Sequence, residues 1–443
     1  MRVLGIGEGM DLGAMYLDLL RAGHEVRVFV GDPECQGTMA GLVPAASDWQ
    51  AELPWVREAG RDGLVLFETA SQGALQERLR REGFQVIGGS AYGDRLESDR
   101  AFGQREMAAA GMQVAPTRAF DDFDAAMAFV RRHPGRYVYK PAGSGFASGR
   151  TFVGAMPDGS DVIAYLGLQA RTWPADEPKR LVLMERLDGV EVGIGAYFDG
   201  QQFLQPACLD WEHKRFFPGD LGELTGEMGT LVTYRRGERL FRETLGRMEA
   251  RLREGRYQGY ININTIVDRK GVHPLEFTCR FGYPGFAVLS PLQIAGWEDL
   301  FRRMLRDPRA PGGGMFPTAE GYTVGVVLTV PPFPYAAGYE QLSKGLPILF
   351  QPGLTDDDRR HLHFGEVALA DTPSEPQLVT SGVVGYVMVV TGCGPTVPEA
   401  RAAAYARVDK VCLVNGRHRR DIGERFMATD EVRLQAWGWL DPV

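Results

Sequence analysis

The sequence predicts a protein of several domains, partly α/β and partly α+β, and three observations indicate this class. The chain has 443 residues, enough for two to four domains. Over the first hundred residues, strand-like apolar runs alternate with helical patterns, which is typical of a parallel sheet covered by helices. Further along, strand patterns joined by short turns indicate hairpins.

The composition of the chain excludes some classes of function and partner. Hydrophobic residues make up 44% and charged residues 24%, the balance of a globular chain. The formal net charge of −8 argues against a nucleic acid polymer as partner. No apolar run reaches the roughly 20 residues that span a bilayer, so we expect no membrane partner. The opening residues lack a signal peptide, and the five cysteines are scattered without CxxC spacing, so we expect a cytoplasmic protein.

The N-terminal segment predicts a strand, a glycine turn and a helix. Its glycines, Gly5, Gly7 and Gly9, alternate. A dinucleotide fingerprint, GxGxxG, would need glycine where Met10 and Leu12 stand. The spacing therefore disfavours an NAD-dependent oxidoreductase.

A lysine ends the predicted strand 137–140 and precedes the glycine-rich loop 141–150. Such a loop can place an ammonium, backbone N–H groups and a guanidinium around a polyphosphate. The loop lacks the Gly-Lys-Ser/Thr ending of a Walker motif. A simple flexible hairpin is the alternative interpretation.

Glu185 and Glu191 flank a predicted turn between two strands. The backbone of such a hinge can bind the edge of an adenine, and the second glutamate can accept hydrogen bonds from ribose hydroxyls. Taken alone, two surface carboxylates explain the pattern as well.

Three potential cations, at positions 213–215, precede the glycine-rich segment 219–229. This combination would suit an anionic small molecule, although an isolated charge run is more often a solvated face.

The segments 259–268 and 275–280 predict a hairpin. Strand alternation sends Glu276, Thr278 and Arg280 to one face. A carboxylate, a hydroxyl and a guanidinium are costly to bury without a ligand, and magnesium with phosphate would satisfy them.

In this order, the clusters resemble those of the phosphoribosylamine–glycine ligases of the ATP-grasp superfamily. The resemblance covers nearly the whole chain and includes Gly345-Leu346-Pro347 and Asp421-Ile422-Gly423 near the C-terminus. It implies an ATP-grasp fold with an N-terminal parallel-sheet domain and a C-terminal α+β domain. The implied domains are an N-terminal substrate domain at 1–98, a central ATP-grasp domain at 99–118 and 188–316, a lid at 119–187, and a C-terminal domain at 317–443.

The resemblance also implies an activity. ATP would phosphorylate a small carboxylate, and an amine would displace phosphate from the acyl phosphate to form an amide, with release of ADP and phosphate. The implied catalytic residues are Arg280, Lys140 and Arg100. The implied ATP-binding residues are Arg100, Lys140, Ser148, Gly149, Arg150, Glu185, Leu187 and Glu191. The implied substrate-binding residues are Gly7, Glu8, Gly9, His213, Lys214, Arg215, Thr225, Gly226, Met228 and Arg280.

The implied metal ligands are Glu276, Thr278 and Asn264. The implied cofactors are ATP and Mg²⁺, with Mn²⁺ as an alternative ion. The implied partners are a small carboxylate, either glycine or another amino acid, and a small amine. The protein is expected as a monomer or homodimer.

The departures from the family lie mostly in loops on the amine side. The family loop Pro-Asn-Thr-Gly-Gly-Met-Gly is here Glu-Leu-Thr-Gly-Glu-Met-Gly at 223–229, and the family Asn after Glu-Phe is Thr278. Glu8, Glu223 and Glu227 add negative charge where a ribose 5-phosphate would need donors. We therefore expect a changed amine acceptor. Ordinary glycinamide ribonucleotide synthesis is the alternative, and a non-catalytic ATP-binding module, suggested by Thr278, is the second.

Overall fold

The N-terminal part contains a parallel sheet. The structure is a computed structural model that describes residues 1–141, 151–174, 178–310, 314–373 and 375–441. The strands of this sheet are β1 (Arg2–Gly7), β2 (Glu25–Val30), β3 (Ala45–Ala46), β4 (Gly63–Phe67) and β5 (Val86–Ile87), in the order β3-β2-β1-β4-β5. The accompanying helices are α1 (Gly13–Arg21), α2 (Trp49–Glu58), α3 (Gly73–Arg81), α4 (Ala91–Ser98) and α5 (Arg100–Ala109). The continuous burial of β1 and β4 is what a sheet covered on both faces requires.

A small α+β unit follows. Its elements are β6 (Thr117–Phe120), α6 (Phe123–Arg132), β7 (Tyr137–Pro141), β8 (Phe152–Val153), α7 (Ser160–Thr172) and β9 (Leu181–Glu185). The strands pair antiparallel in the order β6-β9-β7-β8. The helices pack on them around a separate core that includes Phe123, Tyr139 and Leu166. A core of its own allows this unit to keep its fold if it moves against the rest of the chain.

The central feature is an antiparallel sheet in the order β16-β15-β10-β11-β14-β17-β22-β19. Its strands are β10 (Val190–Phe198), β11 (Cys208–Glu212), β14 (Gly229–Thr233), β15 (Gly259–Val267), β16 (Val272–Thr278), β17 (Tyr322–Thr329), β19 (Leu362–Phe364) and β22 (Tyr386–Gly394). Shorter hairpin strands are β12 (Arg215–Phe217) with β13 (Leu221–Leu224), β18 (Ile348–Phe350) with β23 (Val411–Leu413), and β20 (Val367–Ala370) with β21 (Gln377–Thr380).

Helices cover this sheet. They are α8 (Glu238–Glu243), α9 (Glu249–Glu254), α10 (Gly285–Leu289), α11 (Gly296–Met304), α12 (Tyr339–Leu342), α13 (Asp356–Arg360), α14 (Val397–Val408) and α15 (Glu431–Ala436). Helix α14 begins with a capping box in which Thr396 and Glu399 bond each other's backbone. It lies so close to β22 that a Cβ on Gly392 would overlap the backbone of Ala404. Only glycine permits that approach.

The sheet continues across the predicted boundary between residues 316 and 317. Strand β14 pairs with β17, with Leu231 opposite Val324. Residues 311–313, just before this boundary, lie outside the described residues. The domain boundaries stay a prediction, but the C-terminal strands extend the central sheet.

Polar contacts join the N-terminal part to the rest, and they include an ion pair of Arg302 and hydrogen bonds to Glu97. Arg302 in α11 forms ion pairs with Asp62 at 2.8 Å and with Asp307 at 3.0 Å. Glu97 in α4 accepts hydrogen bonds from the Cys279 amide at 2.6 Å and from Arg280 Nε at 3.1 Å. The second contact ties the end of α4 directly to the residues that follow β16.

The predicted fold class is confirmed, with a parallel N-terminal sheet and antiparallel sheets after it. The five cysteines are free, and Cys393 and Cys412 are half-buried rather than buried. Within the described ranges, none of the helices combines the length and the apolar character that a membrane crossing demands.

The shared sheet predicts a strong effect of one core residue. Leu231 is fully buried in β14, and Leu231→Ala should lower the free energy of unfolding by about 2–5 kcal/mol through lost burial and a cavity. Urea unfolding measures this change. Leu221, which is 65% exposed, supplies the control, and Leu221→Ala should stay within about 0.5 kcal/mol of wild type. Equal effects of the two variants would contradict the packing described here.

Candidate active site

Three charged side chains from distant parts of the chain meet at one point. Arg100 is the first residue of α5, Lys140 lies near the end of β7, and Glu276 lies in β16. The start of α5 is fixed because the Asp99 side chain accepts a hydrogen bond from the Phe102 amide at 2.9 Å. Arg100 Nη2 lies 2.8 Å from Glu276 Oε2, and Lys140 Nζ lies 3.7 Å from the same oxygen.

The charges of this triad control its protonation. Burial disfavours ionisation of Glu276, but Lys140, Arg100 and Lys214 overcome it and lower its pKa to about 2. Burial also lowers the pKa of Lys140, against the opposite influence of Glu276. Near neutral pH the carboxylate is ionised, and it balances cations in a partly dry cleft.

A second cation, Lys214, connects two carboxylates. Its Nζ lies 3.1 Å from Glu191 and 2.9 Å from Glu212. Burial opposes the charge on Lys214, but Glu191, Glu212 and Glu276 raise its pKa well above the ordinary value. Glu191 also occupies the start of β10, so this ion pair links two neighbouring strands of the central sheet.

These charges border a cleft of about 370 Å³ beside the turn between β9 and β10, which we call the hinge cleft. Its lining combines cationic side chains, such as Arg100 and Lys140, with apolar ones, such as Val138 and Ile266. The described residues that line it are Arg100, Val138, Lys140, Pro141, Thr151, Val153, Met184, Glu185, Arg186, Leu187, Glu191, Lys214, Leu224, Thr225, Ile266, Leu275 and Glu276. A flat apolar group with an anionic tail fits this distribution.

A second cavity of about 330 Å³ adjoins the hinge cleft, and the two share Lys214, Thr225 and Glu276. We call it the acidic cavity. The described residues that line it are Asp210, Glu212, Lys214, Thr225, Gly226, Glu227, Thr230, Val232, Tyr260, Asn262, Asn264, Glu276, Thr278, Arg280, Gly282, Tyr283, Gly285 and Leu289.

Two of its carboxyl groups are deeply buried. Asp210 Oδ2 accepts a hydrogen bond from Asn262 Nδ2 at 2.6 Å, and a Cβ on Gly193 would overlap this carboxylate. Burial, followed by the charge of Glu212, raises the pKa of Asp210 to about 8. Burial is the main cause that raises the pKa of Glu227 well above its ordinary value, and the negative charges of Glu212 and Asp210 raise it further. The acidic cavity is therefore short of positive charge.

The N-terminal turn adds buried carboxyls of its own. Glu68 is fully buried, and its Oε2 accepts a hydrogen bond from the Asp11 amide at 2.9 Å. Burial, followed by the charge of Asp11, raises the pKa of Glu68 to about 8. Burial raises the pKa of Asp11, and nearby Arg280 lowers it. Arg280 thus lies between the acidic cavity and this turn.

The structure brings most of the predicted ATP and metal residues together. The hinge cleft includes Arg100, Lys140, Glu185, Leu187 and Glu191. The acidic cavity includes all three predicted metal ligands, and Arg280 with them. The predicted residues Ser148, Gly149 and Arg150 lie outside the described residues.

Other predicted substrate residues are placed differently. Lys214, Thr225 and Gly226 line the acidic cavity, whereas the described lining of both cavities leaves out Gly7, Glu8, Gly9, His213, Arg215 and Met228. His213 is buried, and burial lowers its pKa to about 4, so it is a neutral side chain rather than a cation. Arg215 donates to the Gly222 carbonyl at 2.6 Å within the β12–β13 hairpin. Neither side chain lines the hinge cleft or the acidic cavity.

Sequence reasoning missed several polar groups of the acidic cavity, among them Asp210, Asn262, Glu212, Glu227 and Thr230. Asp210 and Asn262 were not among the predicted site residues. A signal for both was present, since Asp210 alternates with Glu212 along β11 and Asn262 with Asn264 along β15. Polar residues repeating at every second position of an otherwise apolar strand indicate a functional face.

Comparisons with known proteins identify relatives of this chain. Residues 98–286 match the family model described as phosphoribosylglycinamide synthetase, ATP-grasp (A) domain. The solved structure of the Thermotoga maritima phosphoribosylamine–glycine ligase matches this structure with a TM-score of 0.70 at 23% sequence identity. The match covers 95% of this chain and 100% of that one. A second match is the biotin carboxylase domain of a Hydrogenobacter thermophilus 2-oxoglutarate carboxylase, solved with MgADP. Its TM-score is 0.62 at 13% sequence identity, and the match covers 94% of this chain and 91% of that one. The chain has the ATP-grasp fold and is an ATP-dependent ligase that forms C–N bonds.

Within that class, the chain resembles one enzyme over its length. The phosphoribosylamine–glycine ligase of Chlorobaculum tepidum is 29% identical over 96% of this chain and 100% of its own length. The phosphoribosylamine–glycine ligase of Escherichia coli O157:H7 is 29% identical over 97% of this chain and 100% of its own length. The resemblance to phosphoribosylamine–glycine ligases is confirmed, and the chain is a divergent relative of them.

The low pKa of Glu276 predicts a pH dependence of stability. A carboxylate whose pKa falls from the ordinary 4.5 to about 2 on folding stabilises the protein fully above pH 4.5, and this stabilisation is lost as the pH falls towards 2. Glu276→Gln should therefore lose less unfolding free energy than wild type between pH 4.5 and ~3. Urea unfolding at several pH values measures this slope. The exposed Glu320, changed to Gln, should keep the wild-type slope, and parallel slopes for all three proteins would contradict the assignment.

Proposed function

We propose that this protein joins a small carboxylate to an amine through an acyl phosphate made from ATP. The observation that carries the proposal is the meeting of Arg100 and Lys140 on the Glu276 carboxylate, at the border of the hinge cleft and the acidic cavity. ATP and a carboxylate are both anionic, so they approach each other only where cations are already in place. Electrostatic preorganisation of this kind is commonly the largest contribution to catalysis.

The hinge cleft supports nucleotide binding. Its apolar walls suit an adenine ring, and the turn after β9 offers backbone groups at the ring's edge. The Leu187 amide has no backbone partner within the described ranges, so it is available to donate to adenine. Glu191 at the start of β10 suits the ribose hydroxyls, while Arg100 and Lys140 suit the phosphates.

The residues of the β15–β16 hairpin fit a magnesium ion that shares its coordination with phosphate. Asn264 lies opposite Glu276 in the strand register, and Asn262 lies opposite Thr278. A carboxylate, a hydroxyl and an amide oxygen are hard donors, and Mg²⁺ in nucleotide sites takes one or two carboxylates plus phosphate oxygens. When bound, the ion would neutralise charge on the transferred phosphoryl group.

Arg280 is placed to hold the carboxylate substrate. Its Nε bonds Glu97 at 3.1 Å, which orients the guanidinium in the lining of the acidic cavity. A guanidinium there would neutralise the substrate carboxylate and then the acyl phosphate. The unit at 119–187 has a separate core and contributes β7 and β9 to the hinge cleft, so we propose that it is the lid that excludes water from the acyl phosphate.

The substrates are the open part of the proposal. The names of the curated relatives favour glycine with phosphoribosylamine. The acidic cavity favours another amine, because a ribose 5-phosphate beside Asp210 and Glu227 would further oppose ionisation of these carboxyls and would find no free cation there.

Changing Lys140 tests the nucleotide site. Lys140→Met keeps the apolar stem and removes the ammonium, while Arg100 still pairs with Glu276. Loss of a charge-assisted phosphate contact should weaken MgATP binding by about tenfold or more. Isothermal titration calorimetry measures the dissociation constant. The exposed Lys270, changed to Met, is the matched control, and wild-type affinity in Lys140→Met would remove Lys140 from the site.

The acceptor is tested by direct ligation. The protein is supplied with MgATP, glycine and phosphoribosylamine generated in situ, and both ADP and the ligated product are followed. We expect poor turnover of this pair, with ADP formed faster from another amine in a panel. Turnover of about 1–100 per second would establish the ordinary pair instead. A complete lack of ADP formation with every pair would contradict the proposed ligation.

A further inference from the structure

The acidic cavity contains more carboxylates than cations. Its described lining includes four carboxyl side chains and two cationic ones. The carboxyl side chains are Asp210, Glu212, Glu227 and Glu276, and the cations are Lys214 and Arg280. A cavity with this excess attracts positive charge.

The cations of the region are already engaged. Lys214 lies between Glu191 and Glu212, at 3.1 and 2.9 Å, and Arg280 pairs with Glu97 at 3.1 Å. The Glu276 carboxylate is balanced by cations of its own from the hinge cleft. Two carboxyls of the acidic cavity, Asp210 and Glu227, remain.

These two side chains have polar atoms that point to a missing ligand. Asp210 and Glu227 are each 6% exposed. Asp210 Oδ1 and Glu227 Oε1 are buried and have no hydrogen-bond partner among the described residues, and the same holds for the hydroxyl of Thr230 on the same lining. Buried acceptors without partners are costly, so three of them around one cavity indicate a donor that binds there.

An organic cation suits this place. The predicted magnesium ligands Glu276, Thr278 and Asn264 belong to the β15–β16 hairpin, whereas Asp210 comes from β11 and Glu227 from the segment before β14. An alkylammonium group carries one positive charge and three N–H donors, which matches two carboxylates and a hydroxyl. We propose that Asp210 and Glu227 bind the primary ammonium group of a substrate in the acidic cavity, a specificity that rests on the proposed ligation.

This ammonium is a binding group and not the reacting nitrogen. An amine attacks an acyl phosphate with its lone pair, and a protonated nitrogen held by carboxylates has none to offer. The substrate therefore carries its ammonium away from the reacting atom. Two classes meet this condition: a diamine acceptor that reacts at its other nitrogen, and an amino acid that reacts at its carboxylate.

The experiment compares ligands that carry an ammonium group with analogues that lack one. One pair is 1,4-diaminobutane with 1,4-butanediol, and the other is glycine with propionate. Binding of each ligand to the full-length protein saturated with MgADP is measured by calorimetry. We expect the ammonium member of at least one pair to bind about tenfold tighter or more, and that pair identifies the substrate class.

Variants assign the preference to the two residues. Asp210→Asn and Glu227→Gln nearly conserve shape, and either one should reduce the preference to about threefold or less, while Glu320→Gln on the exposed surface should keep it. Thermal unfolding checks that each variant is folded. Equal binding within both pairs by wild type, or a preference unchanged in both folded variants, would overturn the proposal.

The binding readout separates this inference from the proposed function. A tenfold preference without ADP formation would support the ammonium site and contradict the ligation. ADP formation with phosphoribosylamine and glycine, together with equal binding within both pairs, would support the ligation and overturn the ammonium site.

Discussion

The Glu276 carboxylate is the interaction on which the site depends. It holds Arg100 from the start of α5 and Lys140 from β7 at one point, although these residues lie far apart in the sequence. Without it, two cations would face each other in a partly buried cleft, and removal of one partner from a buried ion pair is strongly destabilising. The same carboxylate suits a magnesium ion. The cations released from it would then face phosphate oxygens, so the resting ion pairs prepare the cleft for an anionic nucleotide.

The rest of the fold positions this carboxylate. Strand β16 lies at the edge of the central sheet, where β15 fixes its register through pairs such as Asn264 with Glu276. The end of β16 is attached to the N-terminal part through Glu97, which binds both the Cys279 amide and Arg280. One glutamate of α4 thus orients the residue proposed to hold the carboxylate substrate. The small unit at 119–187 contributes Lys140 from the opposite side, so its position decides whether the cation reaches Glu276.

The sequence predicted the strands and hairpins better than it predicted the residues around the acidic cavity. Local patterns were sufficient for β1, β2, β4 and the β15–β16 hairpin, because alternation and turn residues specify strands over a few positions. The continuous sheet from β14 to β17 depends on pairing between distant segments, which periodicity does not contain. His213 illustrates a second limit. In sequence it belongs to a run of cations, but burial makes it neutral, and burial is a property of the tertiary structure.

The contrast between the two cavities follows from how each balances charge. In the hinge cleft, Glu276 and Glu191 each have a cation within 4 Å, so a bound nucleotide would exchange partners with these ion pairs without leaving a charge unpaired. Asp210 and Glu227 have no such partner among the described residues. Two adjacent buried acids without a cation destabilise an empty protein, because they must stay protonated or meet each other's charge. A cationic ligand removes this penalty on binding, whereas a phosphorylated one increases it, so the unfavourable empty state itself selects for positive charge in the substrate.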